Sequence, residues 1–462
     1  MSERYDCVVI GTGQSGPSLA VRLAQAGRKT AVVERKLFGG TCVNTGCIPT
    51  KTLIASARVA YLARRAGDFG VMVDNVRVDM ARVKARKDAV VRASNQGVEQ
   101  WLKGTPNLTV YQGHARFEGP RTIRVGDAQL EAGEIFIDVG TRAHVPDLPG
   151  LNEVDHLTNG GMLELDTLPE HLVVVGGSYI GLEFAQMYRR FGARVSVVEM
   201  GPRLISREDE EVSAAIREIL EGEGIQVRLN AKCITLARRR RGIGVGLDCQ
   251  DDPHEIEGSH LLLAVGRRPN TDDLGLDKAG VKTDARGYIT VDEELRTSAP
   301  GIWALGDVNG RGAFTHTSYN DYEIVAANLL DNEHRRVSDR LPAYALYVDP
   351  PLGRVGMTER ELRQDGRRAL VAKLPMSRVG RAKERSETLG FMSILVDASD
   401  QKILGAAILG IEGDEVIHSI LDLMAAGAPY TVLQRAMHIH PTVSEFIPTL
   451  LGKLEPLRAL AS

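Results

Sequence analysis

Apolar runs and clustered glycines open the chain, and they predict a strand, a tight turn and a helix. Residues 5–10 form a nearly continuous apolar run, which is typical of a buried strand. Three glycines then fall within six positions, and the alanine- and leucine-rich stretch after them indicates a helix. A second apolar run, over residues 29–33, ends at Glu34. The three glycines are Gly11, Gly13 and Gly16.

This order of strand, glycine loop, helix, strand and acid is typical of a unit that binds a dinucleotide. Glycines let the backbone approach a pyrophosphate at a helix N-terminus, and the acid accepts a hydrogen bond from a ribose hydroxyl. Glu34, eighteen positions after Gly16, is that acid. A glycine pattern alone is a weak signal, but here the strand, the helix and the acid all accompany it.

The same order returns once, from an apolar run at residues 171–175 to Glu199. Glu199 again lies eighteen positions after the last glycine of its loop. Ser178 stands where the middle glycine usually occurs, which loosens the pattern without cancelling it, because serine is also small. Two such units favour an electron relay between two cofactors over a duplicated fold with one inactive site. The second loop comprises Gly176, Gly177, Ser178, Tyr179, Ile180 and Gly181.

The second half of the chain adds two apolar runs that end on glycine, at Gly266 and Gly306. Asp307 follows the latter, where a carboxylate can accept from a ribitol hydroxyl; the alternative is a turn aspartate. From residue 341 onward, strand-like and helix-like runs alternate, which predicts an α+β end domain. The predicted division is a first dinucleotide domain, a second one, a central segment completing the first site, and an end domain: residues 1–149, 150–269, 270–340 and 341–462.

Composition and charge narrow the possible partners. The 462 residues suffice for about three domains. A net charge of −3 gives no reason to expect nucleic acid or an anionic membrane as partner. No apolar run approaches the ~18–20 residues that span a bilayer, and the N-terminus runs into a strand without a signal peptide. We therefore expect a cytoplasmic protein. Of the five cysteines, three are predicted to be small core side chains: Cys7, Cys233 and Cys249.

The other two cysteines, Cys42 and Cys47, lie five positions apart and close to Lys51. In a regular helix their α-carbons would be about 7.5 Å apart along the axis, whereas a disulfide needs ~4.4–6.8 Å. A bond between them therefore requires a turn entering a helix, with Gly46 giving backbone freedom and Pro49 in the first helical turn. This arrangement favours a redox-active dithiol. A static disulfide or half of a metal site are the alternatives; the latter would need two further ligands.

A final motif combines His440, Pro441 and Glu445. Proline suits the first helical position, so His440 is predicted just outside a helix start and Glu445 about one turn inside. A carboxylate beside a histidine fixes its tautomer and raises its basicity, as a general base needs. A capping histidine with a glutamate that complements the helix dipole is an equally good interpretation.

Taken together, these motifs resemble the class I flavoprotein disulfide reductases, which include dihydrolipoyl dehydrogenase, glutathione reductase and mercuric reductase. The resemblance covers essentially the whole chain, and the run from Ile48 to Lys51 is similar to the lipoamide and mercuric branch. It implies an α/β fold with two Rossmann-type domains, which bind FAD and NAD(P), and a C-terminal α+β dimerisation domain.

The resemblance also implies roles for individual residues. Cys47 would face the flavin as a thiolate, and Cys42 would exchange with the substrate. Lys51 would lie near the flavin and pair with Glu183, and Tyr179 would cover the nicotinamide pocket. In the family the histidine–glutamate pair acts on the other subunit's cysteines, so a homodimer is implied, with His440 and Glu445 in that role. Further cofactor-site residues are predicted at Gly40, Thr41, Gly113, Gly140, Thr141, Gly266, Asp307 and Thr315.

The expected reaction passes electrons from NAD(P)H through FAD to a Cys42–Cys47 disulfide and on to a small-molecule disulfide. Glu199 favours NADH over NADPH, since a carboxylate repels a 2′-phosphate, although Arg194 and Arg203 could soften this. A mercuric or other metal-ion reductase and a flavin-bound redox sensor are the alternatives. Mercuric reductases usually end in a vicinal cysteine pair and lack the histidine–glutamate pair, and this sequence differs in both respects. A disulfide substrate is therefore favoured, and no resident metal site is predicted.

Overall fold

A computed structural model describes residues 2–240, 242–247 and 255–458. Its strands are β1 (Glu3–Ile10), β2 (Thr30–Glu34), β3 (Leu108–Gln112), β4 (Ala115–Gly119), β5 (Thr122–Val125), β6 (Ala128–Ile137), β7 (Thr141–Ala143), β8 (His171–Val175), β9 (Arg194–Val198), β10 (Gln226–Arg228), β11 (Thr235–Arg239), β12 (Gly242–Gly246), β13 (Glu255–Gly258), β14 (His260–Leu263), β15 (Arg267–Pro269), β16 (Ile302–Ala304), β17 (Ala343–Leu346), β18 (Leu352–Gly356), β19 (Ala369–Pro375), β20 (Phe391–Asp397), β21 (Ile403–Leu409) and β22 (Glu455–Pro456).

The helices include one that joins β1 to β2 and one that joins β8 to β9. They are α1 (Gly16–Gln25), α2 (Gly40–Asn44), α3 (Cys47–Arg64), α4 (Met80–Lys103), α5 (Asn159–Leu163), α6 (Tyr179–Phe191), α7 (Glu210–Gly222), α8 (Leu276–Ala279), α9 (Thr315–Leu330), α10 (Glu359–Asp365), α11 (Gly380–Glu384), α12 (Gly413–Ala425), α13 (Tyr430–Arg435) and α14 (Ile447–Leu451). None of the described helices is long and apolar enough to cross a membrane.

The first sheet is built around β1, whose inner residues are fully buried. Strands β2 and β6 flank β1 in parallel, with β3 beyond β2 and β16 beside β6. Ile10 pairs in register with Val33 on one side and Ile137 on the other. The carboxyl ends of the three strands therefore meet at one edge, where ligands bind in open parallel sheets.

The second sheet repeats this geometry on a smaller scale. Its four parallel strands run in the order β10, β9, β8 and β14. Val175 pairs with Val198 and with Leu263, so the ends of β8, β9 and β14 again share an edge. A three-stranded antiparallel sheet, β11–β12–β13, packs on it through residues such as Val245.

The C-terminal unit is a six-stranded antiparallel sheet covered by helix α12 and the short helices around α14. The predicted mixed α/β architecture with an α+β end unit is confirmed. A hydrophobic core joins the units close to the cysteines: Leu53 of α3 packs with Phe184 of α6 and with Leu346 and Leu352 of the C-terminal sheet. The cysteine-bearing helix α3 is thereby fixed against the helix that follows the second glycine loop.

The structure describes two of the three cysteines that were predicted to be small core side chains. Cys7 is fully buried in β1, as expected of a core side chain. Cys233, in contrast, is half-buried and disulfide-bonded, so the prediction of a simple core thiol was wrong. Cys249 lies outside the described residues.

Candidate active site

The first glycine loop presents its backbone to a cavity at the edge of the first sheet. Gly11 has a φ of +103°, and a Cβ there would lie 2.3 Å from the carbonyl oxygen of Asp138, so no other residue fits. At the end of β2, the buried Glu34 accepts hydrogen bonds from the backbone N–H of Thr12 at 3.1 Å and of Lys36 at 2.7 Å. The carboxylate is thus fixed beside the loop, where a ribose hydroxyl of a bound dinucleotide would reach it.

The second loop has the same construction. Gly176 has a φ of +114°, and a Cβ on it would lie 2.4 Å from the carbonyl oxygen of Ala264. Glu199 accepts from the backbone N–H groups of Gly177 and Gly201, each at 2.7 Å. Ser178 is exposed and precedes α6 in an extended conformation, which explains why a side chain is tolerated at this position.

The cysteine segment is a turn entering a helix, as its spacing requires of a pair that can form a disulfide. Cys42 lies in the short helix α2, and Cys47 is the first residue of α3. Gly46 separates them with φ −134° and ψ −114°, and a Cβ on it would lie 2.9 Å from the Thr41 carbonyl oxygen. Both cysteines are free thiols in this structure.

The two thiols have opposite acidities. A hydrogen bond from Cys42 is the largest influence that lowers the pKa of Cys47, to about 6, and it outweighs the opposing effect of burial. The Thr315 hydroxyl, 3.2 Å from Cys47 Sγ, and the charge of Lys51 lower it further. The same hydrogen bond and burial raise the pKa of Cys42. At neutral pH the reduced pair therefore holds a Cys47 thiolate beside a protonated Cys42.

Lys51 owes its position to α6. Its Nζ lies 3.0 and 2.8 Å from the two carboxylate oxygens of Glu183, whose side chain is only 7% exposed. The backbone N–H of Tyr347 donates to Glu183 at 3.1 Å, and the Tyr347 ring centroid lies 4.6 Å from Lys51 Nζ. The C-terminal unit therefore helps to fix the ion pair one helical turn from Cys47.

One continuous cavity of about 1310 Å³ joins the two loops and the cysteines. Most of the predicted site residues line it: Gly11, Gly13, Glu34, Gly40, Thr41, Cys42, Cys47, Lys51, Gly113, Gly140, Thr141, Gly176, Ser178, Tyr179, Ile180, Glu183, Glu199, Gly266, Asp307 and Thr315. Gly16 and Gly181 do not, because they allow close packing instead. A Cβ on either would lie 2.4 or 2.1 Å from the carbonyl oxygen of the first glycine of its loop.

His440 and Glu445 also lie outside this cavity lining. They do pair, with His440 Nδ1 2.9 Å from Glu445 Oε2, but the histidine side chain is 80% exposed. The predicted helix start at Pro441 was wrong. The His440–Pro441 peptide bond is cis, and a 3₁₀ turn begins only at Ser444, so Glu445 sits in that turn.

Several cavity residues escaped the sequence analysis. Asp138 directly follows the apolar run of β6 and accepts from the Gly16 N–H at 2.7 Å, and burial raises its pKa. An acid after a buried strand is the signal that could have revealed it. Arg267, Phe314 and Tyr344 also line the cavity, but none of the motifs recognised in the sequence includes them.

The residues present fit a dinucleotide on each loop. Gly140 and Gly266 face the cavity with positive φ, and a Cβ on either would meet nothing within 4 Å, so the wall is open there. Asp307 accepts from the Thr141 hydroxyl at 2.9 Å and remains on the cavity surface. Among the described residues, no group of three or more His, Cys, Asp or Glu side chains could hold a metal ion.

Comparison with known proteins agrees with this geometry. Residues 5–321 match the family model described as pyridine nucleotide-disulphide oxidoreductase, and residues 342–451 match the dimerisation domain of the same family, which indicates a homodimer.

Three relatives span nearly the whole chain. The probable pyridine nucleotide-disulfide oxidoreductase RclA of Escherichia coli is 35% identical, covering 97% of this chain and 99% of that protein. Its solved structure, an HOCl-induced flavoprotein disulfide reductase, superimposes with a TM-score of 0.89 over 97% of this chain and 99% of that one. A dihydrolipoyl dehydrogenase of Thermus scotoductus is 35% identical over 99% of this chain and 97% of that protein. A mercuric reductase of Streptomyces lividans is 34% identical over 96% and 94%.

The duplicated loops, the thiol pair and these matches over most of the chain lead to one conclusion. The chain belongs to the class I pyridine nucleotide-disulfide oxidoreductases and is an FAD- and pyridine-nucleotide-dependent flavoprotein disulfide oxidoreductase.

Proposed function

We propose that this protein uses NADH to reduce a small-molecule disulfide through the Cys42–Cys47 pair, in a homodimer whose partner chain completes the site. The observation that carries the proposal is geometric: one cavity joins both glycine loops to the cysteine pair, and Cys47 Sγ lies 3.2 Å from the Thr315 hydroxyl. A Cys47 thiolate, with a pKa lowered to about 6, lies beside the protonated Cys42 in the cavity that both glycine loops share.

The division of labour between the cysteines follows from this asymmetry. When FAD is bound, it supplies two-electron transfer between the pyridine nucleotide and the cysteine pair. Cys47, held as a thiolate by Lys51 and Thr315, is assigned the flavin side. Cys42 is assigned to exchange with the substrate disulfide, for which it must lose the proton that it shares with Cys47.

Lys51 and Glu183 are assigned an electrostatic role. The lysine cation stabilises negative charge on Cys47 and on its surroundings, and the glutamate offsets the cost of burying that cation. Tyr179, at the first position of α6, is assigned to cover the nicotinamide end of the second nucleotide site.

The base that Cys42 requires is assigned to His440 of the partner subunit. Within one chain, His440 is exposed and oriented by Glu445, as a general base reaching into another surface would be. Its neighbours Met437 and Ile439 are 99% and 78% exposed, which is costly for apolar side chains unless a second copy covers them.

The preference for NADH rests on Glu199, which lies on the cavity with its carboxylate fixed by two backbone N–H groups. The two arginines that could favour a 2′-phosphate are engaged elsewhere. Arg194 pairs with Glu170 at 2.9 Å, and Arg203 donates to the Ser206 carbonyl at 3.2 Å.

We also propose a division of the chain into four parts, each of which contributes a separate element of the site. Residues 1–149 contribute the first glycine loop and residues 150–269 the second. Residues 270–340 contribute Asp307 and Thr315, and residues 341–462 contribute the pair of His440 and Glu445. A cytoplasmic location is also proposed, because a cysteine pair that NADH reduces in each catalytic cycle does not need an oxidising compartment.

An electron-acceptor screen tests the proposal. The FAD-loaded protein is given NADH with lipoamide, glutathione disulfide or Hg(II), and NADH consumption is followed. We expect a disulfide to be the preferred acceptor and the Cys42→Ser variant to lose that activity. Faster turnover with Hg(II) than with any disulfide would instead favour a metal-ion reductase, and NADH binding without turnover on any acceptor would favour a redox sensor.

A further inference from the structure

Three aromatic rings from three parts of the chain meet in the cavity, and the assignments above leave two of them without a role. Tyr179 begins α6, Phe314 precedes α9, and Tyr344 lies in β17. Tyr344 stacks on Phe314 with ring centroids 5.4 Å apart and planes 6° from parallel. Both rings meet Tyr179 edge-on, at centroid distances of 5.8 and 6.0 Å. Tyr179 therefore contacts both rings of a stacked pair.

Tyr344 is itself fixed from behind by a buried charge. Its hydroxyl donates to Glu208 Oε1 at 2.5 Å, and Glu208 is completely buried. In the described part of the chain, the other carboxylate oxygen of Glu208 has no hydrogen-bond donor, and Arg354 lies 3.9 Å from it. Burial and the nearby Glu208 raise the pKa of Tyr344, so its hydroxyl keeps its proton and stays a donor.

Arg354, which lies beside Glu208, is also buried. It is 2% exposed, its Nη2 donates to the Met357 carbonyl at 2.9 Å, and it approaches Asp209 at 3.5 Å. Burying a carboxylate and a guanidinium together is costly, and such a pair is weak support for stability compared with apolar packing. The arrangement does, however, fix the Tyr344 ring in one position at the cavity wall.

We propose that Tyr344, pinned by Glu208 and Arg354, is a positioning residue for the pyridine nucleotide: it holds Tyr179 across the cavity and sets how readily that ring moves aside for the nicotinamide. This inference rests on the proposed role of Tyr179. Edge-on aromatic contacts favour the closed position of Tyr179, and the nicotinamide must displace them to reach the flavin side. Because the pinned Tyr344 cannot follow, Tyr179 alone moves.

The decisive experiment compares FAD-loaded wild type with Tyr344→Phe, which keeps the ring and removes its anchor. The apparent Kd of NADH, measured from the concentration dependence of rapid flavin reduction, should fall about fivefold as the contacts that oppose displacement loosen. NAD⁺ binding at equilibrium should tighten in the same direction. Tyr5→Phe is the matched control: the Tyr5 hydroxyl lies 3.1 Å from a Glu3 oxygen, Tyr5 does not line the cavity, and the substitution should change neither constant.

A double-mutant cycle separates positioning from a structural role. In a Tyr179→Ala background, Tyr344→Phe should have no further effect on nucleotide binding, since the ring through which it acts is gone. Three results would each overturn the inference. Tyr344→Phe could change the Kd of NADH equally in both backgrounds, leave the Kd of the single variant unchanged, or weaken NADH binding. If Tyr344→Phe yields no folded protein, Phe314→Leu is tested in its place and should also lower the Kd of NADH. This variant removes the ring that stacks on Tyr344 and leaves the hydrogen bond between Tyr344 and Glu208 intact. Failure of NADH to reduce the wild-type flavin would refute the proposed function itself, and the inference with it.

Discussion

The cysteine pair and the histidine–glutamate pair are built in opposite ways within one chain. Cys47 has its supporting groups in place: Cys42, Thr315 and the Lys51–Glu183 ion pair surround it. Among the residues that the structure describes, His440 has one hydrogen-bond partner, Glu445, and its side chain is 80% exposed. The fold of a single chain thus assembles the surroundings of the cysteine pair. The proposed role of the histidine–glutamate pair, in contrast, requires contact with a second subunit. Substitutions in each pair test this contrast.

Removing either active cysteine should have the largest effect. Cys42→Ser and Cys47→Ser should each lower the rate of disulfide reduction by about 10³-fold or more. The two thiols act as a unit in this reaction, so the loss of either one removes the contribution of both. Cys42→Ser should keep the long-wavelength absorption of a Cys47 thiolate next to oxidised flavin, and Cys47→Ser should lose it, while NADH still reduces the flavin in both. Cys7→Ala is the control, because burial raises the pKa of Cys7 to about 12 and makes it inert. Full disulfide reduction by Cys42→Ser would contradict the dithiol relay.

His440→Ala should reduce turnover by ~10²–10³-fold, the usual contribution of a general acid–base. His438→Ala, two positions away on the same exposed segment, should have little effect. The contrast is sharpened by mixing Cys47→Ser chains with His440→Ala chains and allowing subunits to exchange. Mixed dimers contain one intact site and should regain part of the activity. Proven exchange without any recovery would show that both pairs act within one chain.

Lys51→Met should raise the pKa of Cys47, because the cation that favours the thiolate is gone. In wild type the thiolate forms as the pH rises through about 6, and in the variant this titration should move upward by about one unit. At neutral pH the variant therefore holds less thiolate and reacts more slowly. The measurement is the rate of alkylation of the reduced protein against pH, with Lys84→Met, which breaks an ion pair on the surface of α4, as control. If the pH profile of alkylation does not shift, Cys42 and Thr315 are sufficient to lower the pKa of Cys47 without Lys51.

Glu199→Ala should have the smallest effect. The variant should narrow the difference in kcat/KM between NADH and NADPH by about two- to fivefold, at a cost of ~0.5–1 kcal/mol in NADH recognition. Arg194→Ala, at a surface ion pair, should leave the ratio unchanged. A clear preference of the wild type for NADPH would mean that the carboxylate does not select the nucleotide.

Local signals were sufficient for much of this protein. Both glycine loops and their acids could be located from the sequence because backbone approach to a phosphate requires glycine and a strand end requires an apolar run. The constraint on the cysteines was equally local, since five residues of regular helix are too long for a disulfide. The start of the helix after Pro441 was mispredicted, because proline suits a cis turn as well as a first helical turn, and only the surrounding structure selects between them.

The two glycine loops with their acids, the spacing of the two cysteines and the order of these motifs could be read from short stretches of the chain, because each depends on neighbouring residues. Tertiary structure alone decided which distant residues share the cavity. It brought Glu183 to Lys51 across 132 positions and Thr315 to Cys47 across 268, and it buried Arg354 and Glu208 behind Tyr344. The pKa of Cys47 and the position of the Tyr344 ring depend on charges, burial and contacts within a few ångströms. These short distances are set by packing between the units, and spacing along the chain does not determine them.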